Sequence, residues 1–108
     1  VQPEAVVCAD DAIAFGVMVA FDALGIRVPE DVLVVGYHDS AIARTTMPRL
    51  TSVRAPFERI VSECLRLLAS GPAGGAAETT DASGGNVRAP RVMLAPQLIV
   101  RDSSVFRR

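Results

Sequence analysis

The sequence predicts an α/β fold with a parallel-sheet βαβ core, and three observations carry that reading. The run Val32-Leu33-Val34-Val35 is apolar at every position rather than every second one, which suits a strand covered on both faces. A shorter apolar run, Ala5-Val6-Val7-Cys8-Ala9, precedes it. The segment between them has helical periodicity and a stop at Gly25. Residues 5–36 then form a right-handed βαβ unit with two parallel strands.

In chain order, the first strand ends at Asp10-Asp11, a pair placed to supply the N-cap of the helix that follows. That helix is expected from about Ala12 to Leu24, with Gly25 as its stop. Ile13, Val17, Ala20, Phe21 and Leu24 make one apolar face. The opposite face carries Phe15, Met18 and Val19, with Asp22 as its only charge. One sheet covers one face, so the other needs a neighbouring segment or a partner subunit. Turn chemistry at Pro29-Glu30-Asp31 leads into the second strand, which ends in Gly36-Tyr37-His38-Asp39. Residues 40–56 read as a loop with Met47-Pro48 and a short extended piece, Leu50–Arg54.

Pro56 suits the first position of a helix expected from about Phe57 to Ala69 and stopped at Gly71. From Pro72 to Arg91 the composition collapses to small and polar residues, with Val87 the only larger aliphatic one, and a flexible loop is expected. Two extended pieces, Val92–Leu94 and Leu98–Val100, are separated by Pro96, and the tail Asp102–Arg108 reads as frayed. No internal repeat is found.

A chain of 108 residues, half of them apolar, suits one modest domain. At that size roughly two-thirds of the unfolded surface can be buried. A net charge of −1 gives no electrostatic footprint for nucleic acid or an acidic membrane. All eleven basic residues are Arg, which excludes any mechanism needing a catalytic or phosphate-binding lysine. Cys8 and Cys64 read as buried thiols in a reducing compartment, so a cytoplasmic protein is expected. No apolar stretch is of membrane-spanning length. The chain begins without Met, directly ahead of a strand, and a longer parent protein is expected.

Two parallel strands bring Asp10-Asp11 and Tyr37-His38-Asp39 to one carboxyl edge, where open parallel sheets bind ligands. A buried strand running into a solvated loop would give the second group equally well. Paired aspartates facing a third also invite a phosphoacceptor or a metal site. Receiver-type phosphoacceptors use a lysine as well, which is missing, and no ligand spacing supports a metal at Asp10, Asp11, His38 and Asp39. With no nucleophile–base pair in view, the reading is a binding module and not an enzyme, with no cofactor.

The segments AVVCADDAIAFGVMVAFDALGIRVPEDVLVVGYHDS, MPRLTSVRAPFERI and LAPQLIVRDSS, in that order, closely resemble the C-terminal part of the effector-binding domain of LacI/GalR-type bacterial transcription regulators. The match covers the chain apart from an insertion at 72–91 and the last few residues. It implies a C-terminal subdomain fragment of a periplasmic-binding-protein-like (type I) fold, in which a small molecule, often a sugar or nucleobase, binds between two subdomains. Helix 57–69 would belong to the other subdomain. An N-terminal helix-turn-helix, absent from this chain, would bind operator DNA. The resemblance carries effector contacts onto Asp10, in the place of a usual Asn, and His38, in the place of a usual Asp. It carries them also onto the adjacent Asp39 and onto Phe57. A His can donate and titrate where an Asp only accepts, so a standard sugar effector is not implied. The resemblance further places the homodimer interface at Phe15, Met18, Val19 and Met47. A sugar-binding protein of the same fold without any DNA-binding role is the alternative; a secretory leader rather than a helix-turn-helix upstream would mark it.

Overall fold

In the computed structural model, which describes residues 3–70 and 91–106, strand β1 (Ala5–Val7) leads into helix α1 (Asp11–Ala23) and strand β2 (Leu33–Tyr37). A short helix α2 (Ala41–Thr45) and strand β3 (Thr51–Arg54) follow, then helix α3 (Phe57–Ala69) and strand β4 (Gln97–Ile99). A 3-10 turn over Asp102–Ser104 comes last. The strands form one sheet in the order β1-β2-β3-β4. Strands β1, β2 and β3 are parallel, with Val6 beside Val34 and Val35 beside Thr51, whereas β4 runs antiparallel to β3. The mixed α/β architecture with a mainly parallel sheet is the one the apolar runs predict.

The chain divides into two units, one of residues 1–55 with 96–108 and one of residues 56–95. In the first, Asp10 caps α1 by accepting the Ala12 N–H at 2.7 Å. Gly25 ends that helix at φ 71, a conformation open to glycine at little cost. The turn into β2 is closed by Asp31, which accepts from the Arg27 backbone and guanidinium at 2.7–2.9 Å. Those hydrogen bonds hold the Asp31 carboxyl down at about 2.

The core gathers Cys8, Ala14, Met18, Val34, Ala43 and Leu50, with Val6, Val17, Phe21 and Val28 packed around it. Met18 is buried in this core and also borders the groove beside Phe15 and Val19, while Ile13, Ala20 and Leu24 of the face expected inward are exposed. The small Ala14 is fully buried on the same side of α1.

Three further expectations change. Residues 41–45, read as loop, form α2, which packs against α1. Val92–Leu94 forms no strand, and the last strand begins directly after Pro96. The tail is frayed neither at Asp102 nor at Ser103. Ser103 is fully buried, its N–H bonds the Arg49 carbonyl at 3.0 Å, and Asp102 accepts from Arg49 Nε at 2.8 Å. The loop expected over Pro72–Arg91 lies outside the described residues apart from Arg91.

In the second unit α3 occupies the residues its pattern predicts, yet none of its side chains is buried. Ile60, Val61, Leu65 and Leu68 are exposed, and so is Cys64, contrary to the expectation of a buried thiol. Cys8 is buried as expected, and burial pushes its thiol pKa up.

Candidate functional site

Because β1, β2 and β3 are parallel, their carboxyl ends share an edge, and that edge gathers Asp10, Asp11, His38, Asp39 and Arg54. Gly36, near the end of β2, permits this. A Cβ there would stand 2.3 Å from Asp11 Oδ1 and 2.9 Å from Leu50 Cδ2, so only glycine lets the start of α1 settle onto the strand. Asp11 is buried as a result. It accepts from Ser52 Oγ at 2.6 Å and from the Ser40 N–H at 2.6 Å, tying α1 to β3 and to the entry of α2.

Asp10 remains open to solvent. While its Oδ1 caps α1, its Oδ2 stands 3.8 Å from His38 Nε2, with the two side chains 43% and 46% exposed. This pair is an accessible polar part of the edge. The Tyr37 ring meets the His38 ring edge-on, centroids 5.0 Å apart. Both His38 and Asp39 lie in the left-handed region, at φ 94 and 50, where side-chain-bearing residues are uncommon and often mark functional sites.

Asp39 differs from what its sequence position suggests. Its carboxylate is wholly buried and is taken up by arginines, Oδ1 by Arg101 and Oδ2 by Arg54 Nε at 2.8 Å, with Arg44 Nη2 3.5 Å away. Burial alone would raise this carboxyl, but the arginine hydrogen bonds and charges outweigh it and the net shift is downward. Asp39 is thus a buried anchor of the turn rather than an accessible wall of the site. Asp10, His38 and Asp39 are brought together, whereas Phe57 opens α3 in the other unit, about half exposed. Sequence reasoning placed Asp11 at this edge without its buried role and passed over Ser52, Arg54 and Arg101. The usable signal was the polar Thr51-Ser52 pair at the start of a buried strand and the Arg-Asp-Ser-Ser run directly after an apolar one.

Of the proposed subunit face, Phe15, Val19 and Met47 are exposed, and Met18 forms the floor of the groove they line with Asp22 and Ile26.

The family model described as the periplasmic binding protein-like domain matches residues 2–104. The chain belongs to that family. The relatives it matches are named as transcription regulators, LacI-type ones among them. The HTH-type transcriptional repressor PurR of Pectobacterium carotovorum is 40% identical over 67 residues, 62% of this chain and 20% of that one. The HTH-type transcriptional regulator YvdE of Bacillus subtilis is 38% identical over 102 residues, 94% of this chain and 29% of that one. Among solved structures, the transcriptional regulator CelR–cellobiose complex superposes with a TM-score of 0.75 at 39% identity, covering 95% of this chain and 28% of that one. A sugar-binding LacI-family regulator from Escherichia coli complexed with phosphate gives 0.73 at 33%, covering 94% and 33%. The chain therefore spans between 20% and 33% of the length of these relatives. They are transcription regulators with a binding-protein fold, not enzymes.

Proposed function

We propose that this chain is the effector-sensing and dimerisation part of a LacI/GalR-type transcription regulator. A small molecule docks at the carboxyl edge of the sheet against Asp10 and His38, next to the buried Asp39. Subunits pair through Phe15, Val19 and Met47 over Met18. Operator DNA is held by an N-terminal helix-turn-helix outside this chain, and the protein works in the cytoplasm. The observation that carries this reading is the open Asp10–His38 pair, carboxylate and imidazole 3.8 Å apart, on the edge where parallel sheets bind ligands. The pair offers acceptors on one side and a donor-capable ring on the other, which suits a sugar hydroxyl or a nucleobase edge. A sugar is further supported by the relative whose structure holds cellobiose.

The test is isothermal titration calorimetry of the full-length regulator against a panel of mono- and disaccharides and purine bases. His38→Ala and Asp10→Ala should each weaken the compound that binds by tenfold or more, about 1.4 kcal/mol. Affinity within about twofold of wild type in both variants, roughly 0.4 kcal/mol, would remove the assignment.

A further inference from the structure

Asp39 is paired with three arginines, and they come from different elements. Arg44 belongs to α2, Arg54 ends β3, and Arg101 follows β4. Strands β3 and β4 are the two by which the chain leaves residues 1–55 for the second unit and comes back from it. Arg101 is spent on Asp39 and on the Leu50 carbonyl, 2.8 Å away, and is itself largely buried. The backbone of the turn is held from the same side. The His38 N–H donates to the Val53 carbonyl at 2.8 Å, and the Asp39 N–H to Ser52 Oγ at 2.9 Å. Two consecutive left-handed residues persist only where the surroundings over-determine them, and here restraints come from β3 and through the Asp39 carboxylate.

We infer that Asp39 is a positioning residue. Clamped between an arginine from each connecting strand, it holds the His38 ring in its place beside Asp10 and makes that place depend on where β3 and β4 stand. A displacement after β4 reaches the effector seat through the Asp39 carboxylate, and one of β3 reaches it through that carboxylate and through the backbone bonds of His38 and Asp39. The significance for sensing rests on the proposed effector role of His38, but the geometry and its test do not.

His38 is the only histidine in the sequence, so its ring C–H signals are assignable by NMR in the 108-residue chain without ambiguity. They also lie beside the Tyr37 ring, whose ring current makes their positions sensitive to small displacements. The expected result is that Arg101→Gln shifts or broadens the His38 ring signals, while Arg101→Lys, which keeps the cation, leaves them close to wild type. Arg54→Gln and Arg54→Lys should repeat the pattern. Arg54 is about half exposed, so this pair keeps the test available if Arg101→Gln fails to fold. A purely structural ion pair predicts something different: lower melting temperatures with the His38 signals of the folded protein unmoved in both Gln variants. That result would overturn the proposal. Unchanged ligand affinity in His38→Ala would instead remove the effector reading and leave the positioning role standing.

Discussion

Ser103→Ala tests whether the last residues are a working part of the fold. Ser103 is fully buried, donates its hydroxyl to the Val34 carbonyl at 2.6 Å and accepts the Thr51 N–H at 2.9 Å. Deleting the hydroxyl leaves a buried acceptor and a buried donor without this partner. Two ordinary hydrogen bonds at roughly 1 kcal/mol each set the lower bound, and about 1–3 kcal/mol for each unsatisfied group sets the upper. These bounds are about 2 and about 6 kcal/mol, and a loss in the lower half, about 2–4 kcal/mol, is expected. For a domain of this size each kcal/mol moves the melting temperature by roughly 4–8 °C, so a fall of about 8–32 °C should appear in circular dichroism melts. Urea midpoints at unchanged m-value give the same quantity independently. Ser70→Ala is the control. Its hydroxyl bonds the Arg66 carbonyl at 2.8 Å on an exposed surface, and its removal should stay within about 0.5 kcal/mol. A Ser103→Ala protein as stable as Ser70→Ala would show that the tail does not contribute, and the argument from burial would fail.

Two further outcomes are expected. Phe15 and Val19 are about half exposed and Met47 almost entirely so, and burying what remains of the three is worth about 3–6 kcal/mol per subunit before the cost of association. Sedimentation should therefore find a dimer that Phe15→Glu converts to a folded monomer, and a wild type monomeric at tens of micromolar would refute this. Acid stability should depend on Asp39. A carboxyl whose native pKa lies below its unfolded value stabilises the fold above that value, near about 4, and loses the contribution as pH falls toward the native pKa. The stability gap between wild type and Asp39→Asn, measured by urea denaturation, should be wide at pH 7 and narrow below about pH 4. A constant gap from pH 7 to pH 3 would refute the role given to its charge.

The legible parts of the fold were those where periodicity and punctuation agree. Helix α3 has charges on one side and apolar residues on the other, and its bounds, Phe57–Ala69, follow from Pro56 and that pattern. The continuous apolar run of β2 likewise implied parallel neighbours, which it has. Helix α1 is apolar nearly all round, so its pattern has no phase, and nothing in it says that Met18 rather than Ile13 is buried. Helix α2 is only five residues, too short for any period to register. At the site, Asp10 and His38 were readable as exposed polar residues at strand ends. The burial of Asp11 and Asp39 was not, because a carboxylate enters a core only with partners, and theirs come from 41 and 62 positions further along the chain, at Ser52 and Arg101.

The lock formed by Arg101, Asp102 and Ser103 also orders events during synthesis. Its hydrogen bonds to residues 34–51 span between 50 and 69 positions. As the chain grows, the Val34 carbonyl and the Thr51 amide are made long before the hydroxyl they bond. All of residues 56–95 must emerge in between. The first unit therefore cannot close until the second has been translated in full, whatever state the second is in at that moment. Loop-closure entropy grows only with the logarithm of length, so the long separation delays the final docking without much weakening it.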